Sequence, residues 1–190
     1  MQRVGSIRFL LLVFGLAADA WRLPTGFRAF GCAAVLALAQ QPSSAFAVVA
    51  GGDKLVNLPE AKFLEIVAAD LSERQALATA DFTRAVYSEA CTFQDEIDTY
   101  KLAEYVEGTK KLFDGQKSHV ELASPPTFVD PAHRQVEYRF RETLVFNVPF
   151  NPRVDLTGKV LLTRGDDGLV VSSREFWDDG VTDVLKKIYF

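Results

Sequence analysis

The spacing of apolar residues changes once along this chain, and the change falls near Gly115. Before it, Phe63, Ile66, Val67 and Leu71 recur at three- and four-residue intervals, which lines them up on one stripe of a helix. After it, β-branched and aromatic residues dominate with a period of two, the pattern of strands that bury one face. A chain that makes its helices first and then a run of long strands has no helix left to cross between parallel neighbours. It is expected to pack a few helices on a curved, mainly antiparallel sheet, the α+β order. Long strands over few helices curl into a cone whose open end can hold a pocket.

The elements follow from that pattern. Asn57-Leu58-Pro59-Glu60 reads as a helix start, with Asn57 capping and Pro59 in the first turn. A second helical stretch is expected from about 79 to 88, with Phe82, Ala85 and Val86 inward, and a third from about 99 to 112, with Leu102, Tyr105, Val106, Thr109 and Leu112 on one side. Between them lies the short acidic segment 91–98. Strands are expected over 118–123, 126–130, 134–148, 155–164 and 168–177, with a tight turn at Arg164-Gly165-Asp166-Asp167-Gly168. Val181 to Tyr189 closes the chain as a short helix or tail. The chain has 15 phenylalanines, and a side chain with no polar handle reads first as core packing.

The first fifty residues have a different character. An apolar run from Phe9 to Ala18 follows Arg3 and Arg8 and ends at Ala18-Asp19-Ala20. A second run, Cys32 to Ala39, follows Arg22 and Arg28 and leads to Ala45-Phe46-Ala47. Each has the basic start, short apolar core and A-x-A exit of an export signal, and each is too short to span a bilayer. The link, Trp21 to Arg28, is basic and opens on an aromatic. The series resembles the layered presequence of algae with complex plastids: a signal peptide, a short transit segment, then a thylakoid-lumen signal. The alternatives are one signal peptide with a second A-x-A by chance, or an anchor at 32–39. The expected organisation is a cleavable plastid-targeting presequence at 1–47, a linker at 48–57 and one domain at 58–190, reaching the thylakoid lumen by the secretory route.

Four arginines against one aspartate give the first fifty residues +3, so the remainder carries −7 of the chain's net −4. Such an acidic domain lacks the basic face that phosphate neutralisation needs, which argues against a nucleic-acid partner. Removal of Cys32 with the presequence leaves Cys91 unpaired and excludes a disulfide. Two histidines without clustered ligands give no metal site, and no cofactor is expected.

Two acids stand out. Asp95, in Phe93-Gln94-Asp95, could act as a general base at a pocket rim, or could cap the next helix together with Glu96 and Asp98. Glu142 falls in the middle of the apolar series Val136, Tyr138, Phe140, Leu144, Phe146 and Val148. Buried there it requires a partner or a proton; a β-bulge near Glu142-Thr143 would instead turn it outward. On the last strand Leu169, Val171, Ser173, Glu175 and Trp177 share one face. Trp177 reads as core or pocket wall, and Glu175 or Arg174 as a cavity-mouth residue or a surface ion pair. Tyr87, Phe93, Tyr138 and Phe140 complete the expected pocket lining.

Ser118-His119-Val120-Glu121-Leu122, Val136-Glu137-Tyr138-Arg139-Phe140, Val148-Pro149-Phe150-Asn151-Pro152-Arg153, Thr157-Gly158, Asp166-Asp167-Gly168-Leu169-Val170 and Glu175-Phe176-Trp177-Asp178 occur in order, after Tyr87-x3-Cys91-x-Phe93-x-Asp95. Together they resemble a chloroplast and cyanobacterial family related to the SnoaL-like polyketide cyclases. The resemblance covers about residues 60 to 190 and implies a nuclear-transport-factor-2-like fold and a plastid setting. Ketosteroid isomerase and SnoaL-type cyclases of the wider superfamily place an acid in a Phe/Val-x-Asp-Pro turn. Phe93-Gln94-Asp95 stands there, but Glu96 replaces the proline and no tyrosine lies on the preceding helix. Three functions are therefore expected: non-enzymatic binding of an apolar small molecule or a partner complex, an isomerase or cyclase using Asp95 or Glu142 as base, or a thylakoid assembly role. The resemblance also implies homodimerisation through the sheet face.

Overall fold

The computed structural model describes residues 53–190. The expected presequence and the first half of the linker lie outside the described residues. From Asp53 onward the chain is already fastened down. The Lys54 ammonium donates to the carbonyls of Arg84 and Tyr87 at 3.0 and 2.7 Å, and Asn57 N–H donates to Asp167 O at 2.8 Å.

The first helix, α1 (Glu60–Ser72), buries Phe63, Val67 and Leu71, the stripe read from the sequence. Asn57 does not cap it: that residue sits in the left-handed region at φ 51°, and Pro59 takes the cap position. The helix expected over 79–88 does not form. A single turn, α2 (Ala76–Thr79), ends at Ala80 in the left-handed region, and a 3-10 turn (Arg84–Val86) leads into strand β1 (Tyr87–Gln94). Two interactions override the local helical pattern. The buried Asp70 carboxylate accepts from the Thr83 N–H and hydroxyl, both at 2.8 Å, and β1 is drawn into parallel pairing with the last strand.

The acidic segment then turns back as a hairpin, so residues 99–101 form β2 and the next helix, α3 (Leu102–Leu112), begins three residues later than expected. Strand β3 (His119–Phe128) runs continuously through the two segments expected separately, with register shifts at Leu122/Ser124 and Ser124/Thr127. Next come β4 (Gln135–Val145), β5 (Arg153–Arg164) and β6 (Val170–Trp177), and α4 (Val181–Lys186) closes the fold. The six strands form one sheet in the order β2-β1-β6-β5-β4-β3, antiparallel except for β1 beside β6. The helices lie on one side of the curved sheet, over an interior that includes Phe63, Phe140, Phe146 and Leu162.

Pairing of β4 with β5 is unbroken from Gln135↔Thr163 to Val145↔Arg153. No bulge occurs at Glu142-Thr143, so the acid stays on the inner face. A bulge does occur on β6, where Thr163 pairs with Ser172 and Arg164 with Val170. Val171 is therefore squeezed outward, and Val170 rather than Val171 shares the buried side with Ser173. At Gly158, opposite both Phe140 and Trp177, the missing side chain makes room for the Phe140 ring; an added Cβ would lie 2.9 Å from Phe140 Cζ and against the Phe176 carbonyl. Gly158→Ala is accordingly expected to destabilise the domain by about 1–3 kcal/mol, seen as a lower urea midpoint at constant slope; an unchanged midpoint would contradict this packing.

Candidate active site

The concave face of the sheet leaves a cavity of about 480 Å³ between β1–β2, α3, β4–β6 and α4. Most of its wall is apolar, supplied by residues such as Leu112, Leu144, Phe146, Val154, Leu156 and Val184. Set into this wall are four carboxylic acids, Asp95, Glu104, Glu142 and Glu175, with Tyr100, Tyr105 and Trp177 beside them.

Each acid is placed by a different element and meets a different environment. Asp95 sits at the β1–β2 turn, where its Oδ1 accepts the N–H groups of Ile97 and Asp98 at 2.7 and 2.8 Å and the Tyr100 hydroxyl donates to it. Burial raises its pKa and these bonds oppose the rise. Asp95 therefore shapes a hairpin turn and does not cap α3. That cap is made at Lys101, whose N–H donates to the Glu104 carboxylate at 3.0 Å.

Glu142 is only 6% exposed, and its Oε2 is buried with no hydrogen-bond partner. Loss of solvation, then the charge of Glu175, hold its pKa well above the usual 4.5. Glu175 projects from β6 into the same cavity and accepts the Trp177 indole N–H at 2.5 Å. Burial, opposed by that bond and reinforced by Asp95 and Glu96, pushes its pKa up to about 7. Arg174, on the opposite face, does not neutralise the site: it donates to the Asp95 carbonyl at 3.1 Å and pairs with Glu96 at 3.4 Å.

Of the residues expected to form the pocket, Asp95, Glu142 and Trp177 line the cavity. Tyr87, Phe93 and Tyr138 instead line a minor void behind it, and Phe140 is packed at 1% exposure. Their rings build the support: Phe93 stacks on Tyr105 at 4.1 Å and 11°, and Tyr87 lies 4.6 Å from Phe82. Cys91 is a free, buried thiol with its pKa pushed up to about 12 by desolvation, and takes no part in the cavity. Sequence reasoning did not select Tyr100 or Tyr105, and left Glu175 between mouth and surface. Tyr105 was legible only as part of an apolar helix face.

Solved structures similar to the chain include SalBIII, an epoxide hydrolase/cyclase-like enzyme of pyran-ring formation in salinomycin, at 19% identity and TM-score 0.48, covering 65% of this chain and 95% of that one. A nuclear transport factor 2-like superfamily protein from Salmonella enterica matches at 14% identity and TM-score 0.47, over 64% and 92% of the two chains. A Δ5-3-ketosteroid isomerase from Mycobacterium sp. matches at 13% and 0.45, over 66% and 97%. At such identities the likeness concerns fold alone. The chain's own strand order and helix placement form the α+β cone expected from the sequence. The described domain is an α+β cone, similar in fold to nuclear-transport-factor-2-like proteins. No family model matches the sequence, and no curated protein does.

Within this cavity the burial of Glu142 has a measurable consequence. Its folded pKa exceeds the unfolded value, so the native state holds the proton longer and stability falls as pH rises above about 4.5. Glu142→Gln removes that cost. It is expected to raise the melting temperature by several degrees at pH 8 and to change it little at pH 4. An equal shift at both pH values would contradict a raised pKa.

Proposed function

We propose that this domain binds one apolar small molecule in its cavity and moves a proton on it, using Glu175 as base and Glu142 as acid. The observation that carries the reading is the pair itself. Two carboxyl groups face one mostly apolar cavity, their environments hold their pKa values apart, and such separation divides acid from base. Glu175 becomes a carboxylate above about pH 7 and would take a proton from an activated carbon. Glu142 keeps its proton to higher pH and would donate a hydrogen bond to the oxygen or nitrogen on which negative charge develops. Returning the proton to a second carbon completes an isomerisation with no co-reactant; returning it after an internal bond has closed completes a cyclisation.

Asp95 is left out of this assignment because its carboxylate is already committed to the Ile97 and Asp98 N–H groups. The isomerase and the cyclase-like enzyme among the structural neighbours act within the same fold, which makes the reaction class compatible with the scaffold without choosing it. Simple binding without turnover uses the same apolar wall, yet it gives no role to the separation between the two carboxyl groups' proton affinities.

A generic carbon acid tests the base directly. In 5-nitrobenzisoxazole a base removes the ring C–H proton, the N–O bond breaks, and a coloured cyanophenolate forms. Catalysis is expected to rise through about pH 7, the direction set by ionisation of Glu175, and to fall by about 100-fold or more in Glu175→Gln. Glu142→Gln should lower it less. A rate no higher than that of free acetate, or one indifferent to Glu175→Gln, would overturn the proposal.

A further inference from the structure

We infer that the molecule taken by this cavity is an apolar amine or iminium, a single positive charge on a greasy body, with Glu175 as its counter-charge and Glu142 Oε2 as an acceptor for its N–H. The inference rests on the small-molecule binding proposed above but is independent of turnover. Its first support is the orphaned Oε2 of Glu142, 94% of the residue being buried and the oxygen lacking any donor. Buried polar atoms are almost always satisfied, and a protonated nitrogen would bring both the missing donor and the opposite charge.

The second support is the balance of groups facing Glu142 across the cavity. The β1–β2 hairpin presents Asp95 and Tyr100, α3 presents Glu104, Tyr105 and Lys111, and β6 presents Glu175; α4 contributes apolar Val184 and Leu185. The single cation in that set, Lys111, has its side chain 74% exposed and is paired with Glu107. Asp95 and Glu104 are engaged with backbone N–H groups at the hairpin turn and the helix start. Glu142 and Glu175 thus lack a cation of their own, and an anionic ligand would find no cation there but the exposed, already paired Lys111. Tyr105 and Trp177 add aromatic surface, which favours cations over neutral polar groups.

Proton balance follows. Above about pH 7 Glu175 already carries the counter-charge and an ammonium binds without releasing a proton; below it Glu175 must ionise first, so binding releases one proton to solvent, and no bond is otherwise made or broken. Adamantane probes of one shape separate the possibilities: 1-aminoadamantane as cation, 1-adamantanol as neutral analogue and adamantane-1-carboxylate as anion. Calorimetry of the full chain in two buffers of different ionisation enthalpy is expected to show the amine binding at least about tenfold tighter than the alcohol at pH 8, and proton release at pH 6 for the amine alone. Below pH 7 the amine's advantage should fall about tenfold per pH unit, as the pair becomes fully protonated. Glu142→Gln combined with Glu175→Gln should abolish the preference, and a cooperative thermal melt of the same variant shows that it is folded. Equal affinities for amine and alcohol, or a preference that survives the double substitution, would overturn the inference. Elimination activity on the nitrobenzisoxazole persisting beside such a result would leave the proton-transfer reading standing and sink this one alone.

Discussion

The unbroken ladder between β4 and β5 is the constraint from which the rest of the site follows. Eleven consecutive pairs, from Gln135↔Thr163 to Val145↔Arg153, leave no place for a one-residue slip. A slip would move the whole apolar series of β4 to the outer face, at the cost of burying Val136, Tyr138, Phe140, Leu144 and Phe146. Glu142 is thereby carried inward by its neighbours. Its own preference for water is outweighed by the five apolar or aromatic residues that share its face, each contributing on the order of 1.5–3 kcal/mol when buried.

A buried acid can be accommodated in three ways, and this domain uses all of them. Asp70 and Asp95 are satisfied by backbone and hydroxyl donors, and they fix local geometry: one holds the chain as it leaves α2, the other closes the β1–β2 hairpin. Glu175 has one donor, the Trp177 indole, and keeps part of its ability to ionise near neutral pH. Glu142 has none at Oε2 and is held neutral. The gradient from satisfied to unsatisfied runs from turn to cavity, so the residues that build the fold are distinguishable from those free to meet a ligand. Gly158 contributes to the same arrangement by leaving room on β5 for the Phe140 ring of β4.

Much of this was legible in the sequence, for physical reasons. The strand half has strong alternation over long segments, and the odd placement of Glu142 among apolar even positions was visible without coordinates. The helix half was less legible where elements are short. Thr79 to Ser88 has apolar residues at helical spacing, yet its course is set by Asp70, thirteen residues before Thr83, and by pairing with β6 about eighty residues later. Local propensity carries no information about either. The bulge at Val171 was hidden for a similar reason, since alternation looks continuous there and only the partner strand shows the extra residue. Tyr100 and Tyr105 were missed as site residues because the hairpin that brings Asp95 beside them had not been recognised as a hairpin.

The account depends on two glutamates sharing one cavity and dividing proton-holding between them. Carbon-13 NMR titration of glutamate side-chain carboxyls, assigned with Glu142→Gln and Glu175→Gln, measures that division directly. The two carboxyls are predicted to titrate apart, Glu175 near pH 7 and Glu142 well above the ordinary glutamate range, with the Glu142 step moving down when Glu175 is replaced. Two independent titrations near pH 4.5, unaffected by either substitution, would show that the carboxyls neither lose their solvent nor sense one another, and would contradict the account at its centre.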